Sequence, residues 1–239
     1  MKHDTSFLSK SAGFALATEG LSKSWGGFQA NSDISFALPT GARHALIGPN
    51  GAGKTTFINM LTGVLAPTAG KVFIGGEDVT HSSQEERVRK GMARTFQINT
   101  LFPKLTVLES VLLAILERKG LARHWFRPLQ SHTVEIEEAL DLIQDLGLEN
   151  QAGSTVETLA YGKQRLVEIA LALASRPHIL LLDEPAAGIP AGESTEVFNV
   201  IARLPADVSI LFIEHDMELV RRFAERITVL VSGKVLTEG

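Results

Sequence analysis

The chain has 239 residues, 44% hydrophobic and 21% charged, with 21 Gly and 9 Pro, which excludes a disordered or collagen-like chain and fits one globular domain or at most two small ones. Its net charge of -4 and isoelectric point near 6.0 exclude a nucleic-acid binder held by bulk positive charge. There is no cysteine, so disulfides, thiolate catalysis and cysteine metal sites drop out together, and a reducing compartment fits.

In chain order, Phe14–Thr18 and Ile34–Leu38 read as strands, and His44–Gly48 as a short buried strand ending in glycine. Lys54–Val64 reads as a helix. Lys71–Ile74 reads as a strand before a Gly75-Gly76 turn. In Thr106–Arg118, Val107, Val111, Leu112, Ile115 and Leu116 recur at helical spacing. Lys119–His132 is basic and aromatic without periodicity and reads as a loop. Glu135–Leu146 is an amphipathic helix closed by Gly147, and Gly162–Ala174 is a further helix. Ile179–Leu182 is an apolar strand running into Asp183. Helix Glu193–Leu204, strand Ser209–Ile213, helix Asp216–Ala224 and strand Ile227–Val231 complete the chain.

Alternating strands and helices predict an α/β protein with a parallel sheet. The helix-only stretch from about Thr106 to Ala174 reads as an inserted α-helical subdomain, and the strands before His44 as an N-terminal antiparallel β annex. No repeat with a period of roughly 20–50 residues occurs. The mean hydropathy of +0.12 is high, yet the most apolar stretch, Leu166–Leu182, is broken by Glu168, Arg176, Pro177 and His178. No window reaches the roughly 20 apolar residues of a membrane span. The N-terminus lacks a signal-peptide pattern, so a cytoplasmic chain is expected.

Gly48-Pro49-Asn50-Gly51-Ala52-Gly53-Lys54-Thr55 matches G-x-x-x-x-G-K-[ST], between an apolar strand and a helix. Its glycines let backbone N–H groups turn inward around phosphates, and the helix N-terminus behind adds its dipole. Lys54 is expected on the β- and γ-phosphates and the Thr55 hydroxyl on Mg²⁺. Four such positions recur by accident in about 1% of chains of this length. The Ile179–Leu182 strand ends in Asp183-Glu184-Pro185, where open parallel sheets bind ligands. Asp183 is placed to hold the Mg²⁺ shell through water. Glu184 is placed to polarise an attacking water as general base.

These two motifs, with what lies between them, resemble the ATP-binding subunit of ABC transporters over nearly the whole chain, from Gly13 to Gly239. Phe96-Gln97 follows a short strand, as the family's Q-loop does. Leu159-Ala160-Tyr161-Gly162-Lys163-Gln164-Arg165 stands where the signature LSGGQ belongs, His215 where the switch histidine belongs, and Trp25 where an aromatic stacks on adenine. The resemblance implies a P-loop NTPase (RecA-like) core in one domain, 1–239, with residues 98–172 as the helical subdomain carrying the signature.

It also implies roles. Lys54, Glu184, His215 and Gln97 would be catalytic. Trp25, Asn50, Gly51, Ala52, Gly53, Lys54, Thr55 and Thr56 would bind ATP. Ala160, Tyr161, Gly162, Lys163 and Gln164 would face the ATP of a partner. Thr55, Gln97 and Asp183 would hold Mg²⁺. The implied partners are a second ATP-binding subunit, identical or a paralogue, integral membrane permeases, and indirectly a solute-binding protein, with no nucleic acid. The implied location is peripheral, on the cytoplasmic face of the membrane.

Three departures stand out: Ala160 replaces the signature serine, Tyr161 the next glycine, and Pro190 the usual Asp after Glu184-Pro185. The LAYG and DEPAAG segments, with the long basic stretch 119–132, resemble importers of branched-chain amino acids and related solutes such as urea, amides or aromatic acids. Members often carry a further short tail, so a chain stopping at Gly239 is expected to be a compact or trimmed member. The competing readings are a soluble ABC-type ATPase outside transport and a small-molecule kinase on the same phosphate loop. The signature segment and His215 argue against the kinase.

Overall fold

The computed structural model describes residues 13–95, 102–121 and 132–239, so Phe96, Gln97 and most of the basic stretch 119–132 lie outside the described residues. The first two strands are longer than the sequence pattern indicated. β1 (Phe14–Trp25) and β2 (Phe28–Pro39) pair antiparallel around Gly26-Gly27. Their register shifts several times between Thr18 and Ser24. Such bulges interrupt the two-residue alternation by which a strand is recognised in sequence.

β4 (Ala69–Ile74) and the two-residue β5 (Glu77–Asp78) complete this antiparallel sheet in the order β2-β1-β4-β5. The second sheet contains β3 (Arg43–Ile47), β6 (Met92–Arg94), β7 (Ile179–Asp183), β8 (Ser209–Ile213), β9 (Arg226–Val231) and β10 (Lys234–Glu238). Its order is β10-β9-β3-β8-β7-β6, parallel from β9 to β6 with β10 antiparallel at the edge.

The apolar runs of β7 and β8 divide by alternation between two cores. Ile179, Leu181, Leu211 and Ile213 face the cluster holding Phe57 and Leu61 of α1 (Lys54–Thr62) and Leu16 and Phe36 of the annex. Leu180, Leu182, Ile210 and Phe212 face the helices on the other side. A sheet covered on both faces needs apolar residues at every position, which is why these strands read as continuous runs.

α3 (Val107–Arg118), α4 (Thr133–Asp145) and α5 (Tyr161–Ala174) pack against one another. Arg118 donates to Glu138 at 2.7 Å and to the Ala174 carbonyl at 2.8 Å, tying the three together. Burial opposes ionisation of Glu138, but Arg118 and Lys119 outweigh it and hold its pKa at about 2. Gly147 stands at φ 66° just past α4, with its N–H on the Gln144 carbonyl.

α2 (Gln84–Arg89) is absent from the sequence reading because six residues are too few to display a periodic apolar stripe. Its Ser83–Glu86 capping box was the available signal. Arg87 of α2 is buried and donates to the Met60 carbonyl at 2.7 Å and to those of Leu61 and Thr80, satisfying the C-terminal end of α1. α6 (Ala191–Ala202) and α7 (Met217–Phe223) flank β8 in sequence; Pro190 is the N-cap of α6.

Candidate active site

Strand register brings the motif residues to one edge. Leu46 of β3 and Asp183 of β7 both lie opposite Ile213 of β8. The glycine loop two residues past Leu46, Glu184 one past Asp183, and His215 two past Ile213 therefore emerge at one level, on adjacent strands. Between them lies a cleft of about 480 Å³ lined by the whole run Asn50–Thr56, by Glu184 and His215, and by Trp25 and Phe28 of the annex.

The loop's shape depends on its glycines. Gly53, at φ 97°, approaches the annex so closely that a Cβ there would lie 2.6 Å from the Ala30 carbonyl oxygen. Gly53 is also the N-cap of α1 and makes no side-chain cap, so the first amides of α1 stay available to an anion. Lys54 is buried, with Nζ donating to the carbonyls of Gly48 at 2.7 Å and Pro49 at 3.2 Å. Burial lowers its pKa, while Glu184 and Asp183 pull the other way.

Glu184 Oε1 lies 2.7 Å from His215 Nε2. Glu184 has φ 50°, a left-handed backbone costing a non-glycine residue about 1–3 kcal/mol. Asp183 sits behind it, with Oδ2 accepting from Arg94 at 2.6 Å; Arg94 also donates to Asn59 Oδ1 of α1 at 2.8 Å.

The signature segment is elsewhere. Ala160, Gly162 and Lys163 line a separate cleft of about 230 Å³ with Glu193 and Glu196. Ala160 is the N-cap of α5 and offers no side-chain cap. Instead, the Gly162 N–H donates to Glu193 Oε2 at 3.1 Å. The exposed Tyr161 ring packs over Gly188, where an added Cβ would meet it at 3.3 Å. Lys163 Nζ reaches the Gly147 carbonyl at 3.4 Å, and Gln164 Nε2 donates to the Leu159 carbonyl at 2.9 Å.

The structure thus gathers Trp25, Asn50–Thr56, Glu184 and His215, sets Asp183 directly behind them, and leaves residues 160–164 outside. Sequence reasoning missed Phe28, Arg94 and Glu193. Phe28 pairs with Trp25 across the Gly26-Gly27 turn and is 66% exposed, an aromatic flanking a turn that the sequence already displays. Arg94 and Glu193 act across long sequence separations and left no local signal.

The ABC transporter family matches residues 31–187. The high-affinity branched-chain amino acid transport ATP-binding protein BraF of Pseudomonas aeruginosa is 37% identical over 231 residues, covering 94% of this chain and 91% of that protein. A crystal structure of an ATP-binding cassette of an ABC transporter in its ADP conformation superposes with TM-score 0.84 at 31% identity, over 95% of this chain and 91% of that one. A dimeric cassette in a post-hydrolysis state with ADP and Pi superposes with TM-score 0.76 at 25% identity, over 94% and 97%. With the glycine loop and the parallel sheet already described, these matches mean that the chain belongs to the ABC transporter family, as an ATP-binding and ATP-hydrolysing cassette with a P-loop NTPase α/β fold.

Proposed function

We propose that this chain powers the import of branched-chain amino acids, or of a related small polar solute, by hydrolysing ATP on the cytoplasmic face of a membrane. The solute class rests on the relatives' transport role. The observation that carries the ATPase site is the Glu184–His215 pair, 2.7 Å apart at the mouth of the glycine-loop cleft. ATP phosphates would take the amides of Gly51–Thr56, and Lys54 would leave its two loop carbonyls for the β- and γ-phosphate oxygens. Trp25, 48% exposed, would stack on adenine with Phe28 beside it. Glu184 would polarise the attacking water, and His215 would hold that carboxylate and reach the γ-phosphate.

The Thr55 hydroxyl and the Asp183 carboxylate are hard oxygen donors that suit Mg²⁺ beside phosphate oxygens, with Gln97 as the expected further ligand. The ion, when bound, neutralises phosphate charge. No cluster of three His, Asp or Glu suited to a metal exists among the described residues, so such an ion would depend on the nucleotide.

The remoteness of residues 160–164 from the cleft supports a head-to-tail dimer in which each chain supplies its signature segment to its partner's ATP. The chain is read as a single domain over 1–239, with 98–172 as the helical subdomain. No helix among the described residues is long and apolar enough to cross a membrane, so permease subunits would carry the solute path and a solute-binding protein would deliver the solute.

Purification with membrane partners tests the proposal. Recovery of integral membrane subunits and solute-stimulated ATP turnover is expected; recovery of no membrane protein would point to a non-transport ATPase.

A further inference from the structure

Glu214 lies between Ile213 and His215 and is 4% exposed. Its Oε1 accepts the Ala186 N–H at 2.8 Å, and its Oε2 accepts the His215 N–H at 3.1 Å. The Asp216 amide reaches it too. Ala186 is two residues past Glu184, on the loop leaving β7, whereas His215 opens the turn leaving β8. One buried carboxylate therefore bridges the backbones that carry both members of the Glu184–His215 pair.

Packing alone does not explain a glutamate here. Burial raises its pKa, the nearby Glu184 charge raises it further, and the Ala186, His215 and Asp216 amides offset only part of that rise. An apolar side chain would fill the space without that desolvation cost. The bridged segment also has a conformation to enforce. Glu184 is left-handed, and its own backbone bonds are to the Ile213 carbonyl at 3.1 Å and from the Ala187 amide at 3.0 Å. Strained residues persist where surrounding contacts over-determine them.

We infer that Glu214 is a positioning residue for ATP hydrolysis, clamping the loop after Glu184 to the turn that begins with His215 and so setting the distance between those two side chains. This rests on the proposed roles of Glu184 and His215.

Glu214→Gln keeps the size but turns an NH2 group toward one of the two amides, so one side of the clamp opens. The experiment measures kcat and KM for MgATP on the full chain, with thermal unfolding alongside. A kcat at least about tenfold lower with KM within about twofold is expected, because small misplacement costs the chemical step more than binding. Adding Glu214→Gln to Glu184→Gln should change residual turnover by less than about twofold, since the clamp acts through the residue already lost.

A folded variant with wild-type kcat overturns the inference, as does an equal loss in both backgrounds. If Glu214→Gln does not fold, Glu214→Asp keeps the charge and shortens the reach, and is read by the same split. Wild-type turnover in Glu184→Gln would instead sink the assignment of Glu184 itself. Loss of turnover in Glu184→Gln with none in Glu214→Gln would sink only the clamp.

Discussion

Four α-helices among the described residues begin without a side-chain cap, and two of them, α1 behind Gly53 and α5 behind Ala160, treat that end differently. The α1 terminus opens into the 480 Å³ cleft, with Lys54 at its first position and Glu184 and His215 across from it. The α5 terminus is covered: the Glu193 carboxylate sits on the Gly162 amide. Both ends attract anions through their amides and dipole. One opens into the cleft proposed for ATP, and the other is occupied by the chain's own carboxylate and lines a separate cleft. Three adjacent parallel strands can assemble the first site within one chain. No strand end delivers α5 to that place, which is why a second chain enters the proposed mechanism.

The comparison breaks most sharply at Glu184. Glu184→Gln should lower kcat by about 10²–10⁴-fold while retaining ATP binding and accumulating dimer, as read by phosphate release and size-exclusion chromatography. Turnover at the wild-type rate would remove the cleft's claim to the chemistry.

Acid should separate the parallel sheet from the helical layer. His44 of β3 is fully buried, with Nε2 2.8 Å from Thr228 Oγ1. Burial, then the Arg226 charge, lowers its pKa from 6.5 to about 4. The unfolded chain thus binds a proton that the folded chain refuses, and stability falls as pH drops from 6.5 toward 4, by about 3 kcal/mol at full extent. Glu138, held at about 2, contributes stability above its unfolded pKa that disappears only as pH falls from 4.5 through about 2. Chemical denaturation at a series of pH values should therefore show a His44-dependent decline first. A flat profile between pH 6.5 and 4 contradicts it.

Lys54→Met should weaken ATP binding by about tenfold to a hundredfold, the worth of a charged hydrogen bond, by calorimetric titration. The smallest effect belongs to the covered helix. Glu193→Ala should cost about 1 kcal/mol of stability, as loss of a cap does, with ATP affinity of the cleft unchanged. A large fall in ATP affinity would mean that the two regions are not separate.

Much of the fold and cleft was legible because its signals are local. The glycine loop needs its residue types in one run, and β7 and β8 announce themselves by continuous apolar residues before a polar end. Bulged β1 and β2, the single-turn-scale α2 and edge strand β10 were under-read because their patterns are broken or short. Phe28, an exposed aromatic flanking the Gly26-Gly27 turn, carries a local signal of the same kind.

By itself, the sequence determined the chemistry available: a phosphate-binding loop on a strand–helix turn, a carboxylate pair at a strand end, and a histidine after the next strand. Those depend on backbone freedom, period and residue type within a few positions. Only the tertiary structure decided what meets what. Strand order places His215 against Glu184, Arg94 on Asp183 and Glu214 between both loops, and the packing of α6 on α5 places Glu193 on Gly162. Apart from Glu214 to its neighbour His215, these partners lie dozens of residues apart. Their pairing follows from sheet register and packing, which no local pattern encodes.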